Sequence, residues 1–329
     1  MLPNMKVLDR VLAGLRRRLL PSRVGADGGW AASYGGAYRS ADETTRFALA
    51  EITRIAGYVG GHEALRGRSI LEIGPGMDLG VPLLAAGLGA EAYAIDRYPC
   101  PFDPKVHPEV YRLLLERAAA ALPGFDPTPI EECLAAGAHR ARRLHWADLG
   151  LEDLLDERLR ERHAIPTSGI DITYSNATFE HLADGRAAIE ALFVVTAPGG
   201  VGFHQIDLRD HRDFSRPLEY LTLAPDEFRA LFERVEGSCG NRLRGQQFEA
   251  FAREVGFEAV HLANMWADDG YLDGLMPRLH PAVHGWPRDW YRAISGRLVV
   301  RRSGESPFKL NLDGQEDPFS GSSGAKVGG

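Results

Sequence analysis

Histidine and aspartate side chains come close together in sequence directly after the fifth predicted strand, where residues 204–211 read HQIDLRDH. A histidine ring titrates near neutral pH, and a neighbouring carboxylate can orient it, so this pattern is typical of general acid–base chemistry. We therefore expect His204 or His211 to act as a base, with Asp207 or Asp210 orienting the ring. The alternative interpretation is a polar loop that caps the next helix and forms surface ion pairs.

A second feature that can bind a ligand is the glycine turn Gly74-Pro75-Gly76, which joins a predicted strand to a helix. Glycines lack the Cβ atoms that would keep a ligand away from the backbone, and the unpaired N–H groups of a helix start suit a carboxylate or phosphate. A dinucleotide site needs a third glycine at the position of Leu79, and a Walker loop needs Gly-Lys-Ser/Thr; neither is present. The turn therefore favours neither NAD nor ATP, and an ordinary strand-to-helix connection is the alternative.

Three other predicted strands end at polar residues. Asp96 closes the second strand, and an acidic side chain there can accept hydrogen bonds from both hydroxyls of a ribose. Asp148 follows the third strand and can accept from an exocyclic amine such as that of adenine, or can cap the next helix instead. Asn176 ends the fourth strand. Because ligands bind outside the carboxyl ends of the strands in an open parallel sheet, these residues are expected to lie at one site.

The elements that carry these residues alternate between strand and helix, which predicts a doubly wound, mostly parallel α/β sheet with right-handed crossovers. The predicted strands cover residues 69–73, 90–95, 143–146, 170–174, 201–206, 257–264 and 298–302. We expect an N-terminal amphipathic helix and lid over residues 1–60, a main domain over 61–303 with an insertion at about 100–140, and a flexible tail rich in Gly, Ser and Asp over 304–329. The aromatic residues and the arginine that can line the lid are Trp30, Tyr34, Tyr38 and Arg39, with packing of the aromatic rings against the core as the alternative.

Charge and hydropathy exclude some classes of protein. The chain has 38 basic and 45 acidic residues, a formal net charge of −7, which argues against a general nucleic-acid binder. No segment reaches the roughly 20 apolar residues that a membrane span requires. In the N-terminal helix, apolar residues recur every three to four positions between arginines. This pattern favours packing on the body of the protein, with docking on a membrane surface or a partner as the alternative.

The three cysteines, Cys100, Cys133 and Cys239, are far apart and form no CxxC pair. This spacing argues against a disulfide framework and against a thiolate zinc site, so we expect no bound metal. A reducing cytoplasm is the compartment that such cysteine usage indicates.

Several segments together resemble class I S-adenosylmethionine-dependent methyltransferases. Residues 70–76, ILEIGPG, look like the first motif of that family, and residues 171–182, DITYSNATFEHL, resemble its fourth-strand motif. Residues 255–260, VGFEAV, are similar to the start of its sixth strand. The resemblance covers roughly residues 65–302, and the motifs occur in family order.

The resemblance implies a seven-stranded Rossmann-like sheet that binds S-adenosylmethionine and releases S-adenosylhomocysteine. Asp96 matches the family's ribose-binding acid, and Asp148-Leu149 its adenine-contacting pair. The cofactor-binding residues that it implies are Glu72, Gly74, Gly76, Asp78, Asp96, Asp148, Leu149 and Asn176. Asp78 stands where the family commonly has a third glycine, so either the turn is wider or Asp78 faces the cofactor. The 52 residues from Asp96 to Asp148 exceed one crossover helix and imply an insertion near the rim of the site.

The expected reaction is methyl transfer to a small organic acceptor, with a hydroxyl oxygen as first choice and a histidine as general base. Nitrogen and carbon acceptors are alternatives, and the sequence specifies no oligomeric state. Some methyltransferases bind a divalent metal through a pair like Glu180-His181, but a role at the start of a helix is favoured here. Two other classes stay open: a nucleotide-dependent oxidoreductase, and a non-catalytic cofactor-binding protein that docks on a membrane through its N-terminal helix.

Overall fold

The computed structural model describes residues 40–98, 100–235, 237–312 and 318–319. Its centre is a seven-stranded sheet in the order β3-β2-β1-β4-β5-β7-β6. The strands are β1 (Ser69–Ile73), β2 (Glu91–Asp96), β3 (Leu144–Asp148), β4 (Ile170–Asn176), β5 (Thr196–Asp207), β6 (Phe257–Trp266) and β7 (Ala293–Arg302). Strands β1 to β5 pair in parallel, whereas β7 runs antiparallel to both of its neighbours. The predicted doubly wound, mostly parallel seven-stranded sheet is confirmed.

Helices cover both faces of this sheet. They are α1 (Ala41–Val59), α2 (Gly80–Gly87), α3 (His107–Ala121), α4 (Thr128–Ala136), α5 (Glu157–Arg162), α6 (Gly185–Val195), α7 (Pro225–Arg234), α8 (Gly245–Val255), α9 (Asp269–Leu275) and α10 (Arg288–Arg292). Successive residues of β1 enter different apolar layers: Ile70 packs with residues of α1 to α4, and Leu71 with residues of α6 and α8. This alternation follows from the strand geometry, in which neighbouring side chains point to opposite faces.

Helix α1 begins at Ala41 because Ser40 and Glu43 form a capping box: the Ser40 hydroxyl accepts from the Glu43 amide, and the Glu43 carboxylate accepts from the Ser40 amide. The insertion after β2 contains α3 and α4. Arg117 of α3 joins the insertion to α1, since its guanidinium donates to the Thr45 hydroxyl at 2.7 Å and forms an ion pair with Asp42.

The flexible tail expected from residue 304 onward is wrong for its first part. Phe308, Leu310 and Leu312 are buried in the apolar layer on the α1 side of the sheet, and the Asn311 amide donates to the Tyr58 carbonyl at 3.0 Å. Their alternating apolar spacing, hidden in a segment of polar average composition, explains this burial.

The expected N-terminal helix and the lid residues Trp30, Tyr34, Tyr38 and Arg39 lie outside the described residues. Within the part of the chain that the structure describes, no helix has the length and apolar character needed to cross a membrane.

Candidate functional site

The polar strand ends predicted from the sequence lie along one edge of the sheet. Parallel pairing aligns Asp96 at the end of β2 with Asp148 at the end of β3, and Asn176 at the end of β4 with Gln205 of β5. Strand β1 pairs with β2 on one side and with β4 on the other, so the chain changes winding direction between β1 and β4. A crevice at such a switch point is the usual ligand site of an open α/β sheet.

The glycine turn leaves β1 at this switch point with a left-handed backbone. Gly74 has φ of 71° and Gly76 has φ of 75°, backbone conformations that residues other than glycine rarely adopt. A Cβ atom on Gly74 would lie 2.5 Å from the Thr178 hydroxyl oxygen, whereas a Cβ on Gly76 would meet nothing within 4 Å. Gly74 therefore satisfies a packing constraint, and Gly76 leaves open space beside the backbone.

Two carboxylates already occupy amide donors of this turn. Asp96 accepts from the Gly76 amide at 3.3 Å and from the Tyr98 amide at 2.8 Å. Asp78 accepts from the amide of Gly80, the first residue of α2, at 2.8 Å. A phosphate would therefore compete with protein carboxylates for these N–H groups. Because the amides already hold negatively charged side chains, the turn is unfavourable for binding an anion.

The turn is also surrounded by acidic side chains. Burial raises the pKa of Glu72 well above its ordinary value, and the nearby charges of Asp78, Glu51 and Asp96 raise it further. Burial likewise raises the pKa of Asp96, to about 6, against the lowering effect of its two backbone hydrogen bonds. Arg54 pairs with Glu51, but within the described residues the buried Oε2 of Glu72 has no hydrogen-bond partner. A cationic ligand would relieve this local excess of negative charge.

The other sequence-predicted residues at this edge differ in exposure. Asp148 is exposed, and its pKa is raised by partial burial of the carboxyl and by the charge of Asp153. Leu149 is buried in the apolar layer on the α6 side. Asn176 is half-buried at the last position of β4. The structure thus brings the predicted residues to one edge of the sheet.

His204, expected as a base, is instead part of the core. Its side chain is fully buried, its Nδ1 lies 2.9 Å from the Ser175 hydroxyl, and its ring packs 4.7 Å from that of Phe179. Burial lowers the pKa of His204 to about 3, so the ring is neutral at physiological pH. The expectation is wrong for this residue because β5 is a central strand, with both faces covered.

His211, the other expected base, lies beside Asp207 just beyond the end of β5. Its Nε2 is 3.5 Å from the nearer carboxylate oxygen of Asp207, longer than a hydrogen bond but within ion-pair distance. Arg209 holds both oxygens of Asp207, at 2.8 and 2.7 Å. Burial raises the pKa of Asp207, but the hydrogen bonds from Arg209 and the nearby His211 ring outweigh this effect and hold the pKa below its usual range. Asp207 is therefore an ionised group positioned to orient the His211 ring.

Asp210, the second carboxylate considered for this role, makes its bonds elsewhere. It is 1% exposed and forms a two-oxygen contact with the Arg212 guanidinium. The polar segment therefore contains one histidine–aspartate pair, His211 with Asp207. Asp210 instead forms an ion pair with Arg212.

The Glu180-His181 pair lies close to His211 and contributes a buried acid, Glu180. Glu180 is 2% exposed, burial raises its pKa well above the ordinary value, and neither carboxyl oxygen has a hydrogen-bond partner among the described residues. His181 bonds through Nδ1 to the Gly237 carbonyl at 3.0 Å, and its ring lies 5.1 Å from that of His211. Burial lowers the pKa of His181.

A groove of about 240 Å³ begins two residues after His181, at Ala183. It is lined by Ala183, Pro225, Phe228, Arg229, Phe232 and Asn241. Asn241 fixes one wall, because its amide nitrogen donates to the carbonyls of Phe179 and Leu182 at 2.8 and 3.0 Å. Two aromatic rings and one arginine suit a small organic molecule that carries an apolar part and an anionic or polar group. Sequence reasoning missed this groove, because its walls come from segments about 60 residues apart.

No family model matches the chain, and no curated protein matches it in sequence. Solved structures similar to it include a carbon methyltransferase, CurJ, with 13% identity over 73% of this chain and a TM-score of 0.37. Phosphoethanolamine N-methyltransferase 2 of Haemonchus contortus has 14% identity over 79% of this chain and a TM-score of 0.39. An arsenic(III) S-adenosylmethionine methyltransferase from Chlamydomonas reinhardtii has 16% identity and a TM-score of 0.38. The match covers 82% of this chain and 76% of the Chlamydomonas chain.

This chain spans 49% of the CurJ chain and 57% of the Haemonchus chain. With TM-scores below 0.5, these similarities assign no function to it.

Proposed function

We propose that this chain binds S-adenosylmethionine in the crevice between β1 and β4 and transfers its methyl group to a small organic acceptor. The observation that carries the proposal is the combination of a side-chain-free backbone at Gly76 with the buried carboxyl group of Glu72 and the half-buried carboxyl group of Asp96. S-adenosylmethionine carries a sulfonium and an ammonium group, so it offers the positive charge that this acidic crevice lacks.

The same features disfavour the oxidoreductase alternative. A nicotinamide dinucleotide must place its pyrophosphate on free amide donors, but Asp96 accepts from the Gly76 amide and Asp78 from the Gly80 amide. A phosphate on these amides would lie next to the carboxylates of Asp96 and Asp78, and their negative charges would repel strongly in a partly buried site. A ligand without phosphate fits the turn better.

Each residue of the crevice has a proposed role. Asp96 accepts hydrogen bonds from the two ribose hydroxyls, and the open space at Gly76 lets the adenosyl group approach the backbone. Asp148 and the backbone of Leu149, on the neighbouring strand, contact the adenine. Glu72 faces the ammonium group, since the buried Oε2 without a partner in the described residues is an acceptor in need of a donor.

Asp78 and Asn176 flank the methionine part of the cofactor in this proposal. Asp78 lies two residues beyond Gly76 in the turn, and Asn176 ends the strand on the other side of the switch point. Gly74 contributes indirectly, because its left-handed conformation sets the direction of the turn.

The proposed acceptor is a hydroxyl oxygen, with His211 as general base. The oxygen attacks the methyl carbon in line with the carbon–sulfur bond, the bonding electrons pass to sulfur, and the hydroxyl proton passes to Nδ1 of His211. Asp207 faces the opposite nitrogen, Nε2, and stabilises the imidazolium that forms. The groove that begins at Ala183 would hold the acceptor, and the net charge of −7 supports a small molecule over a nucleic acid.

Isothermal titration calorimetry tests the cofactor assignment directly. The full chain is titrated with S-adenosylmethionine, S-adenosylhomocysteine, NAD⁺ and ATP at neutral pH. We expect heat from the first two ligands and none from the other two, and weaker binding of S-adenosylmethionine by Asp96→Asn. The matched control is Asp289→Asn, the same change at an exposed position of α10. Binding of NAD⁺ without binding of S-adenosylmethionine would support the oxidoreductase instead.

A further inference from the structure

Three metal-ligating atoms converge behind the glycine turn. They are Sγ of Cys100, Nε2 of His107 and a ring nitrogen of His139, and the three lie within 4.8 Å of one another. The sulfur is 3.9 Å from Nε2 of His107 and 3.6 Å from Nε2 of His139. In a tetrahedral zinc site, bond lengths of about 2.3 Å to sulfur and about 2.0–2.1 Å to nitrogen place a sulfur ligand and a nitrogen ligand roughly 3.5 Å apart. Both sulfur–nitrogen distances therefore match zinc ligation with shifts of a few tenths of an ångström.

We propose that Cys100, His107 and His139 bind a zinc ion. One thiolate and two imidazoles form a mixed set of borderline ligands that suits zinc better than the hard cations Mg²⁺ and Ca²⁺. Cys100 and His107 are 2% and 1% exposed, and half-buried His139 gives a route from solvent. The site lies outside the proposed catalytic chemistry, and it revises the expectation of no metal drawn from the missing CxxC pair.

The surroundings supply a fourth position and an outer hydrogen bond. The carbonyl oxygen of Met77 is 3.0 Å from Nε2 of His107 and 3.1 Å from Sγ of Cys100, so this oxygen or a water can complete the coordination. The hydroxyl of Tyr111 lies 2.9 Å from Nδ1 of His139. Metal-binding histidines typically hold their other nitrogen in such a bond, which leaves Nε2 directed at the metal.

Zinc binding requires a balanced movement of protons. Nδ1 of His107 accepts from the Asp103 amide at 2.7 Å, so its Nε2 carries the ring proton and donates to the Met77 carbonyl. Coordination through Nε2 shifts that proton to Nδ1 and breaks the bond to Asp103. The Cys100 thiol, which donates to the same carbonyl, loses its proton to solvent as the sulfur–zinc bond forms.

The position of the site indicates a structural role. Cys100 and His107 belong to the insertion after β2, His139 follows α4, and Met77 lies between Gly76 and Asp78 in the turn. The ion would join both ends of the insertion to the backbone of the turn. Zinc would therefore stabilise the insertion and restrict the conformations of the turn, whichever ligand the crevice binds.

Metal content and affinity of the full chain test the proposal. Protein stripped by a chelator is titrated with Zn²⁺ against a competing indicator, and bound zinc is measured by inductively coupled plasma mass spectrometry. We expect one ion per chain, and a loss of affinity of at least about tenfold in Cys100→Ser, His139→Gln and, through the outer bond, Tyr111→Phe. Cys133→Ser and Cys239→Ser are matched controls, since both thiols are buried and lie outside the cluster.

A second measurement needs no variant and stays informative if the substituted proteins do not fold. Loading the stripped wild-type chain with Co²⁺ should give a thiolate-to-cobalt charge-transfer band and the visible bands of a tetrahedral ion. Absence of the thiolate band, or equal zinc loss in Cys133→Ser and Cys100→Ser, would overturn the proposal. Both measurements are made without S-adenosylmethionine, so their failure is distinct from failure of the proposed function.

Discussion

The carboxyl group of Asp96, which we propose as the ribose-binding acid, lowers the stability of the folded chain at neutral pH. Burial raises its pKa from 3.8 to about 6, so the folded chain binds this proton more strongly than the unfolded chain does. Stability from this group is therefore largest at acidic pH and declines as the pH rises through about 6. At neutral pH the folded protein keeps an ionised, poorly solvated carboxylate, which the proposed function assigns to the ribose hydroxyls.

The change Asp96→Asn should separate these two effects. We expect S-adenosylmethionine affinity to fall by about 1–3 kcal/mol, roughly 5- to 150-fold, because a charged acceptor of two hydroxyls is lost. The unliganded variant should be more stable at neutral pH by about 1–2 kcal/mol, since the ionisation cost disappears. Calorimetry and urea unfolding measure the two changes, and an unchanged affinity would remove Asp96 from the site.

The pH dependence of binding gives an independent check on the same residue. In the wild-type chain, affinity for S-adenosylmethionine should decrease as the pH falls below about 6, because the protonated carboxyl can no longer accept from both hydroxyls. The Asp96→Asn variant should show no such step. A step of equal size in both proteins would assign the titration to another group.

The two histidines of the HQIDLRDH segment should respond differently to substitution. His211→Ala should lower methyl transfer by roughly 10²- to 10⁴-fold while leaving cofactor affinity nearly unchanged, the effect of losing a general base. His204→Ala should lower stability instead, by about 1–3 kcal/mol, because its buried bond to Ser175 is lost. Release of S-adenosylhomocysteine with an acceptor found by screening, and thermal unfolding, distinguish the two. His284→Ala, at an exposed position, is the control, and full activity in His211→Ala would contradict the assignment.

At the scale of secondary-structure elements, the strand-to-helix turn has two glycines with different tasks. A side chain on Gly74 would collide with Thr178, whose hydroxyl donates to the Ile73 carbonyl at 3.1 Å and joins the turn to the end of β4. A side chain on Gly76 would enter open space. The first glycine therefore avoids a steric collision, and the second leaves open space beside the backbone.

Alanine at each glycine should therefore give different losses. Gly76→Ala should cost about 1 kcal/mol of stability from its left-handed backbone but reduce cofactor affinity more strongly, since the methyl group occupies the ligand space. Gly74→Ala should be the more destabilising change. Adding Thr178→Ala should recover part of that loss, because the colliding atoms are removed, and denaturant unfolding of the double-mutant cycle measures this coupling. If the losses of stability in Gly74→Ala and Thr178→Ala simply add in the double variant, the proposed collision between the two side chains is contradicted.

Local sequence signals predict the elements well, and contacts distant in sequence explain what they miss. The strands and the polar residues at their ends follow from alternation and from the glycine turn, which involve a few neighbouring residues. The burial of His204 depends on β5 lying between β4 and β7, an arrangement that residues 201–206 alone do not encode. The cluster of Cys100 with His139 needs the whole insertion to fold back, so spacing rules for cysteines did not detect it.

At the scale of the molecule, the apolar layer on the α1 side is completed by the segment after β7. Phe308, Leu310 and Leu312 are 6%, 4% and 2% exposed, and each buried side chain of this type contributes about 1.5–3 kcal/mol before the cost of ordering the chain. The segment is therefore part of the folded domain.

Removing residues 304–329 should lower the thermal unfolding midpoint by several degrees, because the side chains that cover this layer are lost. Removing only residues 320–329 is the matched control and should change the midpoint little. Calorimetric scans of the three chains make the comparison, and equal midpoints for the two truncated chains would show that residues 308–312 do not contribute to the core.

The acidic lining around the glycine turn also affects how a catalytic cycle would end. Methyl transfer converts the positively charged sulfonium into a neutral thioether, so the spent cofactor loses one of the charges that Glu72 and its neighbours attract. The same carboxyl groups would then hold the product less tightly than the substrate. The crevice would therefore favour discharge of the used molecule and its exchange for a fresh one.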